Sequence, residues 1–552
     1  MRLIDTTTLE LVEFNEAELP PYAILSHTWE TSEVLYHDLV HEYPSPQVTT
    51  RPSFKKVRET CRVAREVHKY QHCWIDTCCI DKSSSAELSE AINSMFRWYK
   101  GAGVCLVYLA DLRSSHSDDL APCRWFTRGW TLQELIAPEE VLFYNFDWEY
   151  VGSKKDLVNG LSRITGISKQ ALLDAELLPR FPVAARMSWA SSRQTTRVED
   201  RAYCLMGLFD VNMPMLYGEG EKAFLRLQQE IIGTSNDMSL FAWKSSKKDE
   251  VVSGILAPSP DAFVSYKNFE LSTELTTKFN GEFSITNNGL RLTTRLFYSR
   301  LGIGGFLLPL GAALSRGGFG GQSIGIYLKK YGPDLFVRSQ PGSVIEFSFS
   351  DKVRPAVDER TIYVRLHMTT SLLAEISRSR KFAFRFSLGQ DLEPERGYPQ
   401  SLWNAPNNLV LTFGVQSRCW GALLFSFNGW GRHARGTNVE VVAFGIRRTS
   451  WIDYENITTT ECYLVERNAF ERVPEKLLSD PAASEEIFLI LQPKHSQMTV
   501  KLGTTKFELS AALKEDKLAV NSSKDEVLFH ITISTAIVRG DRRSRLLDMI
   551  SD

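Results

Sequence analysis

Through its first 150 residues the chain alternates short apolar runs with apolar positions at helical spacing. Residues 1–14 read as a hairpin, Arg2–Asp5 and Leu9–Phe14 joined by a threonine turn. The continuous run Tyr22 to Ser26 predicts a buried strand, and Phe54, Val57, Cys61, Ala64 and Val67 mark one face of a helix. His72 to Asp76 predicts a second strand, and Leu88, Ala91, Ile92, Met95 and Tyr99 a second helix. Val104 to Leu109 is a third strand, Trp130 to Ala137 a short helix stopped by Pro138, and Val141 to Phe146 a fourth strand. Such alternation predicts an α/β domain with a parallel sheet covered on both faces. Ligands of these sheets bind at the carboxyl ends of the strands. Those ends carry Ser26, His27, Thr28 and Trp29, then Asp76 with Cys78, Cys79 and Asp81, then Asp111.

The pattern then changes twice. Residues 151–240 read as mostly helical, with helical spacing in Ser168 to Leu177 and in Glu219 to Ile232. Between them Arg197-Val198-Glu199-Asp200-Arg201 is expected to be a structural ion-pair cluster. From about residue 240, runs rich in Val, Ile, Phe, Tyr and Thr alternate with Gly, Pro and Asn. Examples are Ser284 to Leu296, Ser323 to Leu328, Ser343 to Phe349, Thr361 to Leu366 and Phe382 to Phe386. Leu409 to Gly414, Val439 to Phe444, Ile487 to Leu491 and Val527 to Ile533 continue the series. This predicts an antiparallel all-β region, a sandwich. The glycine-rich segment 302–321 lacks the Lys-Ser/Thr ending of a phosphate loop and is expected to be a turn-rich connection. The expected organisation is an α/β domain over 1–150, its helical extension over 151–240, and a β-rich regulatory or recognition region over 241–552.

Composition narrows this picture. A chain of 552 residues exceeds one hydrophobic core. A net charge of −2 excludes a global attraction to nucleic acid or to an anionic membrane. The longest nearly apolar stretch, Leu301 to Leu314, is shorter than the ~20 residues of a spanning helix, so no membrane span is expected. The start, Met1 to Phe14, does not read as a signal peptide. The nine cysteines, an odd number, fit free thiols in a reducing compartment, and the protein is expected in the cytoplasm. His72, Cys73, Cys78 and Cys79 lack the spacing of a zinc site, so buried thiols and no metal are expected.

Candidate chemistry gathers at the predicted cleft. Ser26 and His27 are adjacent on a strand and point to opposite faces, which argues against a hydrolase dyad and for ligand contact or loop structure. Asp76 and Asp81 either line the cleft or cap local turns. Trp29, Trp74 and Trp130 serve the core or stack on a ligand. Arg128, near Arg124, suits either a phosphate or an acidic neighbour. By spacing alone, Glu134 is a solvent-facing helix residue.

Four segments, in order, resemble the fungal heterokaryon-incompatibility (HET) domain family. They are Ala23 to Trp29, Trp74 to Lys82, Ala91 to Tyr99 and Arg128 to Leu135, covering roughly residues 20–145. Glu199 to Leu208 and Tyr217 to Gly220 resemble the region that follows such domains. HET domains are in turn similar to Toll/interleukin-receptor (TIR) domains. Those carry a Trp-Cys-Leu-x-Glu-Leu motif, matched here by Trp130-Thr131-Leu132-Gln133-Glu134-Leu135 except at the cysteine. The resemblance implies a TIR-like N-terminal fold and a cell-death effector of fungal non-self recognition. It implies that Glu134 is the catalytic residue of an NAD-cleaving enzyme, with Ser26, His27, Trp29, Asp76, Asp81, Arg128 and Trp130 around the ligand. No cofactor is expected, NAD being the substrate. The alternative is a non-enzymatic signalling module that recruits partners by self-association, set off by an unknown protein trigger.

Overall fold

The computed structural model describes residues 1–40, 45–247, 249–268, 281–299, 305–311, 323–347, 353–355, 359–379, 383–389, 392–411, 419–427, 439–452, 455–502, 505–515 and 529–537. Its N-terminal sheet is built from β1 (Arg2–Asp5), β2 (Leu11–Glu13), β3 (Tyr22–His27), β4 (His72–Trp74), β5 (Val104–Tyr108), β6 (Val141–Tyr144) and β7 (Tyr150–Ser153). The strand order is β2-β1-β4-β3-β5-β6-β7. The central strands β4, β3, β5 and β6 are parallel, as the apolar runs predict. The hairpin β1–β2 joins antiparallel at one edge and β7 antiparallel at the other. β7 was not anticipated, and it extends the sheet past residue 150.

Every residue of β3 and of β5 is buried. Burial of each large apolar side chain there contributes ~1.5–3 kcal/mol, so the parallel strands form a rigid floor. Helices α1 (Pro52–Arg62) and α2 (Ser85–Gly101) connect successive strands. Ser84 caps α2 by accepting from the Glu87 amide. The short α3 (Thr131–Ile136) follows β5. The helical segment then includes α4 (Val183–Ala190) and α5 (Lys222–Thr234).

In the C-terminal region the described strands form sheets of ten, six and four strands. The expectation of a purely antiparallel arrangement is corrected at two places. Leu335 pairs with Tyr363, and Phe384 with Phe529, in parallel. The run Ile487 to Leu491, expected as a strand, is instead the end of the helix Ser484–Leu491. Five consecutive apolar residues have no periodicity to tell helix from strand. Glu485 and Glu486 in the first turn complement the helix dipole, and Gln492 ends the helix in the left-handed region (φ 41°). A further helix, Thr370–Ser379, interrupts the strands. Within the glycine-rich segment, Phe306–Gly311 is a strand rather than a turn, while 302–304 and 312–321 lie outside the described residues. Residues 301, 348–349, 382, 412–414 and 527–528 of the other apolar runs lie outside them as well.

One buried apolar cluster runs from Leu3 to Ile533 and so spans all three segments. Residues 241–266 are where the halves meet. The buried Arg338 donates to the carbonyls of Phe241 (3.0 Å) and Trp243 (2.5 Å), with its guanidinium 4.0 Å from the Trp243 ring centroid. The Gln228 side chain on α5 exchanges two hydrogen bonds with Ala257, at 2.9 and 2.8 Å. Asp261 accepts from the Ser192 amide (2.9 Å) and from Arg201 (2.6 Å). Among the described residues, no helix is long and apolar enough to cross a membrane.

Candidate functional site

At the carboxyl ends of β3 and β4 lies a cavity of about 300 Å³. Glu134 sits in its wall, only 7% exposed, with its carboxyl turned inward against Ser26 of β3. Its Oε2 accepts from Ser26 Oγ at 2.5 Å. Ser26 in turn accepts from the Trp125 indole at 2.8 Å. An indole N–H only donates, so it leaves the serine proton free to point at Glu134. The Tyr99 hydroxyl also bonds to Glu134, and it donates to the Leu25 carbonyl at 2.9 Å. Burial pushes the Glu134 carboxyl up to about 8, with the Asp76 charge adding to the rise, against the opposing effects of Ser26, Tyr99 and Arg128.

Asp76 has the opposite character. Burial raises it, but the Lys82 charge and hydrogen bonds from His27 and Trp29 outweigh burial and hold it well below the usual carboxylate range. Its oxygens take His27 Nε2 at 3.0 Å and Trp29 Nε1 at 2.9 Å. The other imidazole nitrogen, Nδ1, faces Lys56 Nζ at 2.8 Å, and Lys56 also binds Glu33 at 2.7 Å. An ammonium has only donors, so Nδ1 must accept and the His27 proton resides on Nε2, pointing at Asp76. The Lys82 ammonium rests 3.5 Å from the Trp29 ring centroid, a cation–π contact at the cavity mouth.

The far wall comes from the helical segment. Asp200 is buried and accepts from Tyr217 Oη (3.1 Å) and from the Trp130 indole. Burial raises its pKa. Arg197 lies 4.1 Å from the Tyr217 ring centroid, and Arg128 reaches Thr196 Oγ1 at 3.4 Å.

Of the residues singled out by sequence, His27, Trp29, Asp76, Arg128, Trp130 and Glu134 line the cavity. Ser26 sits behind Glu134 rather than on the surface. Asp81 is outside the cavity, where its carboxylate takes the amide and hydroxyl of Ser83 and so caps a turn. Ser26 and His27 face different partners, Glu134 and Asp76, as strand parity requires. Trp74 is core, packed edge-on against Trp98 and Tyr99. Cys73, Cys78 and Cys79 are buried; the Cys61 contact and then burial raise the Cys73 thiol, and burial raises those of Cys78 and Cys79. Among the described residues, no cluster of His, Cys, Asp and Glu is placed to hold a metal.

Sequence reasoning missed Lys82, Tyr99, Arg197, Asp200 and Tyr217 as cavity residues. The cluster read as structural is mixed. Glu199 binds the amides of Gly218 and Gly220, and Arg201 pairs with Asp261, but Arg197 and Asp200 face the cavity. A signal existed for Tyr99, on the helix face shared with Met95 and Ile92. For Tyr217 the only signal was its place in the Tyr217 to Gly220 resemblance, since its approach depends on the chain returning from α4.

Residues 22–122 match the family described as heterokaryon incompatibility protein (HET). The chain is also similar to the vegetative incompatibility protein HET-E-1 of Podospora anserina, 46% identical over 227 residues. That alignment covers 39% of this chain and 16% of the relative, so the chain spans about a sixth of that protein's length. No solved structure gives a significant match. The family match contains Ser26, His27, Trp29, Asp76 and Asp81 and ends before Trp125, Arg128, Trp130 and Glu134.

Proposed function

We propose that the N-terminal part of this chain acts in heterokaryon incompatibility, as a cytoplasmic cell-death effector that cleaves NAD between nicotinamide and ribose. The likeness of residues 22–122 to the HET family supports the biological role. The order of the motifs, ending in Trp130 and Glu134, supports a TIR-like reading. The observation that carries the chemistry is the buried Glu134 carboxyl, turned into a cavity whose other acid, Asp76, is held anionic beside Trp29.

In this reaction the bond between the ribose C1′ and the pyridinium nitrogen breaks. Its electron pair goes to nitrogen, so nicotinamide leaves neutral and needs no proton. The ribose becomes an oxocarbenium-like cation, which ionised Glu134 stabilises until water adds and a proton is released. One carboxylate suffices, where ordinary glycosidases need two. Glu134 must therefore ionise. A bound pyridinium cation assists this, because a positive charge beside a carboxyl favours its anion. Trp130 stands one helical turn before Glu134, positioned to wall the pocket. Arg128 and Arg197 supply positive charge for a dinucleotide's phosphates.

A second reading is favoured by the same carboxyl. A Glu134 that keeps its proton to about pH 8 is largely uncharged at neutral pH, as suits a module that only assembles and recruits partners. In either case the β-rich region restrains the N-terminal part until a protein trigger engages it. The test is the purified full chain at high concentration with NAD, products separated by chromatography. Nicotinamide and ADP-ribose should form, and Glu134→Gln should abolish them. No turnover under assembly-promoting conditions refutes the enzyme and leaves the recruiting module.

A further inference from the structure

The helix that carries Glu134 has six residues and no side-chain cap at its N-terminus. Helices this short do not hold themselves, so neighbours must set the direction of the carboxyl. At the C-terminal end Lys154 does so, donating to the carbonyls of Leu135 (3.3 Å) and Pro138 (2.5 Å). At the N-terminal end the group is Arg193, which is 6% exposed. Its Nη1 donates to the Arg128 carbonyl at 2.8 Å and to Thr131 Oγ1 at 3.0 Å, while Nε donates to Trp189 at 3.2 Å. Thr131 passes its own proton to the Trp125 carbonyl at 2.6 Å. The Trp125 indole holds Ser26, and Ser26 holds Glu134. The backbone repeats the attachment. Gly129 donates to Gln194 at 2.8 Å, and Gln194 to Thr127 at 2.7 Å. Apart from Ser26, the residues of this strap, Arg193, Thr131, Trp125, Gly129 and Gln194, lie beyond the 22–122 family match.

We propose that Arg193 is a positioning residue for Glu134, setting the entry of its helix and, through Thr131, Trp125 and Ser26, the direction of its carboxyl. The proposal rests on the reading of Glu134 as the working group. The charged and titratable groups facing Glu134 are Asp76, Tyr99, Cys105, Arg128 and Arg193. Asp76 opposes its ionisation, and Arg128 favours it. Attraction between Arg193 and Glu134 acts on the same side as Arg128. Tyr99 and Cys105 stay neutral at working pH, since burial raises both.

The experiment uses the full chain and measures thermal melting from pH 5 to 9 for the parent, Arg193→Met and Arg193→Lys, each also in a Glu134→Gln background. The difference within each pair isolates Glu134, and the pH at which it levels off gives the midpoint of Glu134 ionisation in the folded protein. Arg193→Met should raise the midpoint by about one pH unit, and Arg193→Lys, which keeps the charge, by less. NAD turnover should fall ~10-fold in kcat with KM little changed. If the midpoint stays fixed in folded variants that merely melt lower at every pH, Arg193 is only structural and the proposal fails. Should Arg193→Met not fold, Arg193→Lys and Thr131→Val carry the same test, and both must move the midpoint upward. Because this readout uses no NAD, a chain without turnover can still confirm the positioning. Turnover with midpoint and kcat both unchanged refutes it alone.

Discussion

Replacing Glu134 by glutamine should stabilise the protein above neutral pH while removing its proposed activity. An unfolded chain releases the Glu134 proton near the ordinary 4.5, whereas the fold retains it to about 8. Between these values the unfolded state binds fewer protons than the folded one, so stability falls as pH rises. At ~1.4 kcal/mol per pH unit, the loss reaches ~3 kcal/mol at pH 7 and ~5 kcal/mol beyond pH 8. Glutamine has no such dependence. Its oxygen can still accept from Ser26, but its amide N–H groups need acceptors that the Ser26 and Tyr99 hydroxyls supply imperfectly. That costs ~1–2 kcal/mol. The net gain is ~1–2 kcal/mol at pH 7, larger at pH 8.5 and absent or reversed at pH 5. For a unit of 150–250 residues each kcal/mol moves Tm by ~2–4 °C. Melting both proteins from pH 5 to 9 decides the matter. A difference independent of pH, or one that favours the parent more as pH rises, would refute the buried, proton-retaining carboxyl.

Turnover of NAD by Glu134→Gln should fall ~10²–10³-fold, measured at pH 8 in the folded variant. In the parent, kcat/KM should rise with pH and level off above about 8, where Glu134 is ionised. Ser26→Ala removes a hydrogen bond that favours the anion, so its pH–rate curve should shift up by about one to two pH units. At pH 7 it should then turn over ~10-fold slower or worse, recovering in alkali; an unshifted curve would dissociate Ser26 from Glu134. Asp76→Asn should shift the same curve downward, because it removes a negative neighbour, which an alkaline shift would contradict. A fragment of residues 1–240 should melt below one of 1–268, because cutting at 240 removes Trp243, Ile255 and Phe263 from the core. Equal melting of the two fragments would count against the packed junction.

The parallel strands β3, β5 and β6 were legible because each is buried throughout and reads as an apolar run, whereas their order in the sheet was not. The cleft at its carboxyl edge followed from topology, and with it His27, Trp29 and Asp76. Glu134 was legible only through its motif. Its helix spacing suggests solvent, and nothing local reveals that α3 turns it under Ser26 and Tyr99. Asp81, in the same segment as Asp76, showed the limit in the other direction. Two acids five residues apart read alike, yet one is held by His27 and Trp29 while the other caps a turn. The helix Ser484–Leu491 was misread because a short apolar run fits either element, and packing of Ile487 beneath it decided the outcome.

The Arg338 clamp on Phe241 and Trp243 has a bearing on how such proteins are assembled over evolutionary time. A C-terminal region can be exchanged for another without rebuilding the rest only where the chain can be cut through solvent. Here the seam is dry at Trp243 and Arg338, and Asp261 ties the following turn to Ser192 and Arg201. The smallest heritable module that keeps its surfaces covered therefore runs through the turn at 260–266, not to the end of α5. A recombination breakpoint inside that stretch would deliver an N-terminal unit with an exposed tryptophan and a loosened strap beside its cavity. Breakpoints after it would let other C-terminal regions be grafted on, provided each supplies a cation where Arg338 now reaches the two carbonyls.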